Sequence, residues 1–329
     1  MKAQVINQFG DPSVFSTVDI PKPVLQSGHI LVRVAAASVN PIDCKIRSGK
    51  VPEISPVLPA VLHGDVSGIV EAVAPDVSTF QVGDEVYGFA GGVRGTGGAL
   101  AEWMLADARL MAIRPNRVAI QEAAGFPLVS ITAWKALFER AKLKENQSIL
   151  IHGGAGGVGH VAVQLAKWKK AKVYATVRSE EDRILVQSLG TESVVNVNTE
   201  SVEHYVQRLT EGKGFDVVFD TVGGENLDRS FQAVRIGGKV VTIAARSHHD
   251  LTPMHNKDIT LHAVFTLNPL ITSIGREFYG KILKKIAELI NQGHLNLFID
   301  KKIFSLWQAN DAHAFFESGC SKGKIILID

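Results

Sequence analysis

The segment Ser148 to Ser179, SILIHGGAGGVGHVAVQLAKWKKAKVYATVRS, constrains the fold of this chain more than any other. Ile149, Leu150 and Ile151 form the short apolar run of a buried parallel strand, broken at Gly153 and Gly154. Val158, Val161, Ala162, Leu165 and Ala166 then recur at helical spacing, and Lys172 to Val177 returns as a second strand. Between the first strand and the helix, Gly154-Ala155-Gly156-Gly157-Val158-Gly159 fits G-x-G-x-x-G. Glycines there turn the backbone sharply, let a pyrophosphate reach the N–H groups at the helix start, and let the helix lie close on its strand. The unit therefore predicts a dinucleotide site with Gly154, Ala155, Gly156, Gly157 and Val158 against the cofactor.

The end of the second strand selects the dinucleotide. A carboxylate there holds a ribose 2′-hydroxyl, whereas a basic or hydroxyl group accepts a 2′-phosphate. This strand ends Thr176-Val177-Arg178-Ser179, with no acid before Glu180. Ser179 reads as the N-cap of the next helix, with Glu180, Glu181 and Asp182 in its first turn complementing the helix dipole. Arg178 and Ser179 thus favour NADPH over NADH.

Composition sets the bounds. The 329 residues are 46% hydrophobic and 21% charged, ordinary for globular protein and long enough for two domains. A net charge of +2 lacks the basic excess of a nucleic-acid binder. No apolar run reaches the roughly 20 residues of a membrane span, and the first residues carry no signal-peptide core, so a cytoplasmic protein is expected. Cys44 and Cys320 are too few for a disulfide framework or a four-thiolate zinc loop.

The pattern changes character twice. Up to about residue 120, short β-branched runs such as His29 to Ala35 and Gly68 to Ala74 alternate with Pro, Gly and Asp, as in an all-β barrel. Strands and helices then alternate: strands at Val194 to Val197, Asp216 to Asp220, Lys239 to Ile243 and Ile259 to Phe265, helices after Thr199 and Gly224. That is a doubly wound parallel sheet. Beyond it come a helix striped by Ile282, Ile286, Leu289 and Ile290, a strand near Lys301 to Leu306, a short helix, and a last strand at Lys324 to Ile328. The predicted fold class is α/β, a β-barrel domain plus a Rossmann sheet. The domains are expected at 1–124, 125–265 and, returning to the first, 266–329.

At this point the residues carry a family resemblance. Val39-Asn-Pro-Ile-Asp43, Leu58-Pro59 through His63-Gly-Asp65-Val-Ser-Gly68, Val82-Gly-Asp-Glu-Val-Tyr-Gly88, Gly97-Gly-Ala-Leu-Ala-Glu102, Ile131-Thr-Ala-Trp134, the glycine turn and Gly323-Lys-Ile-Ile-Leu327 follow one another along the whole chain. In that order they resemble the medium-chain dehydrogenases/reductases, specifically the zinc-free quinone oxidoreductase branch that includes zeta-crystallin. The resemblance implies a GroES-like catalytic domain made from both chain ends, an inserted Rossmann domain, the cofactor in the cleft between them, and a homodimer.

The zinc-dependent branch polarises a carbonyl with a metal. Its three ligand positions fall at Asn40, Gly64 and Leu128, which cannot serve as that site does, so no zinc is expected. Charge developing on oxygen must then be met by side chains, and Asn40 and Lys45 are the candidates. Many quinone oxidoreductases carry Tyr where Lys45 stands. Asn-Pro-Ile-Asp-Cys-Lys instead resembles the subgroup that reduces α,β-unsaturated carbonyls, including plant enone and alkenal reductases. The same resemblance places Thr132 and Phe265 near the nicotinamide, Thr221, Val222 and Ala245 beneath the cofactor, and Lys324 toward a phosphate. Many relatives place a Tyr against the adenosine phosphate near Val197, which leaves more of that task to Arg178. The implied activity is NADPH-dependent reduction of a small quinone or conjugated carbonyl, with no nucleic-acid or membrane partner. Two alternatives stay open: reduction of an enoyl thioester, and cofactor binding with little turnover, as in a recruited crystallin.

Overall fold

The computed structural model describes all residues 1–329, which form two compact units. The first comprises Met1–Leu128, Thr266–Gly293 and Leu297–Asp329, and the second Val129–Phe265 with His294–Asn296. The first begins with β1 (Lys2–Ile6), β2 (Phe15–Asp19), β3 (His29–Ser38), α1 (Pro41–Arg47), β4 (Ala60–Val61), β5 (Asp65–Val73), β6 (Glu85–Phe89), β7 (Trp103–Asp107), β8 (Met111–Ile113) and α2 (Ile120–Ala123); the boundary then falls inside α3 (Pro127–Trp134). The second contains β9 (Ser148–His152), α4 (Gly157–Trp168), β10 (Lys172–Val177), α5 (Glu180–Ser188), β11 (Ser193–Asn196), α6 (Val202–Thr210), β12 (Phe215–Asp220), α7 (Asn226–Ala233), β13 (Val234–Thr242), α8 (Thr252–Lys257) and β14 (Thr260–Ala263). The chain returns through α9 (Asn268–Thr272), α10 (Arg276–Asn291), β15 (Phe304–Ser305), α11 (Ala309–Glu317) and β16 (Ile326–Ile328).

Both chain ends build the first unit. One sheet runs β15-β16-β3-β5-β6-β8 with β7 also on β3, and a smaller one runs β2-β1-β4. The last strand pairs antiparallel with β3, Ile326 opposite Ser38 and Ile328 opposite Ala36. This register carries Lys324, just before β16, to the end of β3 where α1 begins. Stripe residues Ile282, Ile286, Leu289 and Ile290 of α10 are buried as their spacing predicts, and Gly293 follows the helix at φ +80°, a conformation glycine adopts without steric cost.

The second unit is a six-stranded parallel sheet ordered β11-β10-β9-β12-β13-β14. Its chain builds outward from β9 through β10 and β11, then crosses back to add β12, β13 and β14. The reversal lies between β9 and β12, and ligands of open parallel sheets bind beyond the strand C-termini at such a point. Helix α4 is buried on more than one stripe: every residue from Gly159 to Ala166 is buried, including the polar His160 and Gln164. Gln164 is satisfied there, its Nε2 donating to Asn296 O at 2.9 Å and its Oε1 accepting from Asn296 N at 2.9 Å. Packed below, Phe231, Phe215, Tyr205 and Val218 form the core between β12, α6 and α7.

One predicted strand shrinks. A strand is expected near Lys301 to Leu306, but only Phe304–Ser305 pairs as one. Asp300 is the cause: its carboxylate accepts from Lys302 N at 2.8 Å and Lys322 N at 2.6 Å, bending the chain where a ladder would begin. No helix is long and apolar enough to cross a membrane.

Candidate active site

The glycine turn in the second unit has the geometry of an anion cradle. Helix α4 is preceded by Gly156 as its N-cap, whose conformation is extended and which offers no side chain to cap the helix, so the first-turn N–H groups are left to an external acceptor. The other glycines answer steric demands. A Cβ on Gly159 would stand 2.0 Å from Gly153 O, and one on Gly154 would stand 2.8 Å from Ala175 Cβ of β10. Gly153, at φ +70°, closes the turn, with Gly154 N donating to Thr176 O at 2.9 Å. These residues fit a dinucleotide pyrophosphate.

Next to the turn, Ser179 caps α5, its Oγ accepting from Asp182 N at 3.1 Å, as its position predicts. Glu180, the acid nearest the strand end, is claimed by Arg183 through two bonds of 2.7 and 2.5 Å. Arg178 is exposed and its guanidinium makes no bond within the chain. Its carbonyl is held by Asn198 Nδ2 at 2.8 Å, a tether that spacing alone does not reveal.

Asp220 at the end of β12 organises the rest of this rim, and sequence reasoning missed it. Its Oδ1 accepts from Val222 N at 2.9 Å, Gly223 N at 3.0 Å and Asn226 Nδ2 at 2.8 Å, and its Oδ2 from Thr242 Oγ1 at 3.2 Å. The turn so fixed leaves Val222 exposed while Thr221 donates its hydroxyl to His152 O at 2.6 Å. Ala245 and Phe265 are exposed beyond β13 and β14, whereas Thr132 is buried in α3.

The first unit holds a buried ionic cluster around the start of α1. Asp65 Oδ2 accepts from Ser38 Oγ at 2.8 Å and Asn40 Nδ2 at 2.7 Å, and its Oδ1 from Leu128 N at 2.8 Å. Lys324 Nζ donates to Asn40 Oδ1 at 2.6 Å and Val39 O at 2.9 Å, and stands 3.7 Å from Asp65 Oδ2. Asp43 accepts from Asn40 N at 2.8 Å, holding the first turn of α1. Burial raises the Asp65 carboxyl against the opposing pull of Lys324, and burial with the Asp65 charge pushes Asp43 up to about 7. Burial likewise lowers the Lys324 ammonium, while both carboxylates support its charge.

Two of the expected site residues, Asn40 and Lys324, belong to this cluster. Asn40 is 1% exposed with both ends of its amide bonded inside the unit, at the start of α1. Lys324 is likewise buried, its ammonium bonded to Val39 and Asn40. Lys45 lies on the opposite face of α1 from Asp43 and Arg47, exposed, its ammonium without an intramolecular partner.

At the positions of a zinc site, Gly64 has no side chain and Leu128 supplies only its N–H, to Asp65. No group of three or more His, Cys, Asp and Glu is arranged to hold a metal ion. Cys44, His313 and His63 instead form a chain: Cys44 Sγ lies 3.4 Å from His313 Nδ1, and His313 Nε2 lies 2.7 Å from His63 Nε2. The contacts use opposite edges of the His313 ring, so the three cannot converge on one ion as they stand.

A parallel sheet with a glycine turn at its switch point, carried by a chain whose two ends build a separate β unit, defines a dinucleotide-binding protein of the inserted-domain type. The Alcohol dehydrogenase GroES-like domain matches residues 26–116, and the Zinc-binding dehydrogenase domain matches residues 157–288. An Arabidopsis thaliana NADPH-dependent alkenal/one oxidoreductase is 32% identical over 99% of this chain and 79% of its own length. A Mus musculus quinone oxidoreductase is 30% identical over 100% of this chain and 98% of its own. The crystal structure of an alcohol dehydrogenase superfamily protein from Novosphingobium aromaticivorans superposes with a TM-score of 0.95 at 38% identity, covering 100% of this chain and 99% of that one. The chain belongs to the medium-chain dehydrogenase/reductase family.

The buried imidazoles make the fold acid-sensitive. Burial lowers His63 to about 3 and His152 to about 4, and drives His313 well below its ordinary value. A histidine held neutral by the fold contributes stability that is present above about pH 6.5 and lost as pH falls toward its folded value. Asp43, raised, works the other way between its unfolded value near 4 and about 7. Asp65, also raised, opposes them as Asp43 does, and three imidazoles outweigh these two buried carboxyls, so the urea midpoint should fall from pH 6.5 to pH 4. His152→Gln should flatten that limb, measured by tryptophan fluorescence.

Proposed function

We propose that this protein is an NADPH-dependent reductase of quinones or α,β-unsaturated carbonyls that works without a metal. The observation that carries the reading is the pairing of an uncapped glycine turn with a free Arg178 guanidinium, while Arg183 occupies Glu180, the acid nearest the strand end. NADPH, when bound, supplies a hydride from its nicotinamide ring. In this reading the N–H groups at the start of α4 hold the pyrophosphate, Arg178 and Ser179 hold the 2′-phosphate, Thr221, Val222 and Ala245 pass beneath the cofactor, and Thr132 and Phe265 stand near the nicotinamide. Lys45 meets the acceptor oxygen as it gains charge, and Asn40 with Lys324 fixes the helix that carries Lys45. The names of the Arabidopsis and mouse relatives support this acceptor class.

The experiment that tests the assignment is NADPH oxidation against a panel of quinones, alkenals, cyclic enones and enoyl thioesters. Turnover of the first three classes supports it, preference for thioesters replaces it with an enoyl-thioester reductase, and binding without oxidation leaves only a cofactor-binding protein.

A charge-assisted contact with the 2′-phosphate is worth about 1.5–3 kcal/mol, roughly ten- to a hundredfold in affinity. Arg178→Ala should therefore weaken NADPH by about that factor and leave NADH nearly unchanged, by fluorescence titration. Equal loss for both would remove Arg178 from the site.

A cation at the oxygen favours the transition state over the neutral ground state. Lys45→Ala should lower turnover of an enone by about tenfold to a thousandfold, roughly 1.4–4 kcal/mol, with NADPH affinity little changed. Lys45→Arg should recover part of it, since a planar fork does not place charge as a compact ammonium does. Unchanged turnover in Lys45→Ala would make the lysine a surface charge.

We further propose a cytoplasmic homodimer. Strand β14 ends its sheet with an unpaired edge, which invites pairing with a second copy. Light scattering should give the mass of two chains, and a monomer would contradict the pairing.

A further inference from the structure

We propose that Asp228, His249 and Ser247 form a proton relay on the strand-end rim of the second unit, and that Ser247 delivers the proton completing the reduction of a conjugated carbonyl. The inference rests on the reductase reading above and adds a proton donor, which that reading does not name.

Three observations carry it. Asp228 lies in the first turn of α7, just beyond the turn after β12, and Ser247 and His249 lie on the loop after β13, two residues and four beyond Ala245. All three therefore stand past strand C-termini, on the side where such sheets bind ligands. His249 Nδ1 is 2.9 Å from Asp228 Oδ1, and its Nε2 is 2.5 Å from Ser247 Oγ. The His249 side chain is only 8% exposed, with its ring edge-on to Phe231 at 6.4 Å, whereas Ser247 is exposed. A carboxylate that orients an imidazole, an imidazole held by packing, and a hydroxyl opening outward make an ordered path for one proton.

Asp228 is the charged group that meets His249 from α7. The loop itself brings Arg246, His248 and Asp250, all exposed. Asp228 sets the tautomer: Nδ1–H faces its oxygen, so the mobile proton is the one on Nε2, facing Ser247.

The step balances without an oxidant or reductant. Addition of hydride to the conjugated carbon leaves an electron pair on the substrate as an enolate. The Ser247 O–H bond breaks as its proton passes to the enolate, and the Nε2–H bond of the imidazolium breaks as Oγ–H re-forms. His249 keeps its Nδ1 proton against a carboxylate that stays charged, and water restores the proton on Nε2. Ser247 is a shuttle here and not a nucleophile: its own N–H turns back to Ala245 O at 3.1 Å and cannot stabilise an acyl oxyanion.

The test compares wild type with Ser247→Ala, His249→Asn and Asp228→Asn in the pH profile of kcat for an enone that wild type reduces. NADPH binding is followed by fluorescence, and the His249 tautomer by nitrogen-15 NMR of the cofactor-free protein. The relay requires about a tenfold or greater fall in kcat for Ser247→Ala and His249→Asn, loss of the decline of kcat toward alkaline pH, and unaltered NADPH binding. It also requires an Nδ1-protonated His249 in wild type that Asp228→Asn no longer fixes. Variants that keep the wild-type rate and profile, or a His249 protonated on Nε2 alone, overturn the relay while the reductase reading stands. A wild type that reduces no conjugated acceptor overturns both.

Discussion

The carboxylate of Asp65 is the contact on which the first unit depends. It accepts hydrogen bonds from Ser38, Asn40 and Leu128, and Lys324 stands across from it, so four stretches of chain meet at one buried charge. A buried carboxylate is tolerable only if its lone pairs are met and a cation lies near, and removing one partner strands the others. This requirement ties the C-terminal strand to β3 and sets the start of α1. Lys45 presents its charge outward because Asp43 and Arg47 hold the other face of that helix inside.

Asp220 does in the second unit what Asp65 does in the first. It gathers the N–H groups of Val222 and Gly223, the amide of Asn226 and the hydroxyl of Thr242, and so fixes the turn between β12 and α7. The first turn of α7 is thereby placed to carry Asp228 to His249. Asp65 and Asp220 thus each spend their charge on backbone and side-chain donors, and each fixes the start of a helix, α1 and α7. Orientation by a rigid neighbour is what lets a small side chain act in one geometry.

How much of this was legible in the sequence follows from the range over which each feature is decided. The glycine turn, the Ser179 cap and the stripe of α10 obey local rules of backbone and period, and the structure has them where the spacing puts them. Arg178 could be singled out because strand ends in this fold face the cofactor. Asn40 and Lys324 could be found but not understood, since their partners come from sequence-distant segments: the bond between them joins residues 284 positions apart. Asp220, Asn198 and the Asp228–His249–Ser247 chain carry no motif, only a meeting of loops made by the sheet order. The strand expected near Lys301 to Leu306 shortens to Phe304–Ser305 because the Asp300 carboxylate binds Lys302 N and, from a later segment, Lys322 N, a contact no local pattern reveals.

The central claim is conjugate reduction by side chains alone, and deuterium transfer tests it most directly. Protein treated with chelator would be given NADPH carrying deuterium on the transferred face of nicotinamide C4, together with a cyclic enone, and the product examined by NMR. The account requires a saturated ketone with deuterium on the β-carbon, formed at the rate of untreated protein. Deuterium on the carbonyl carbon of an allylic alcohol, or activity that returns only on adding zinc, would contradict it.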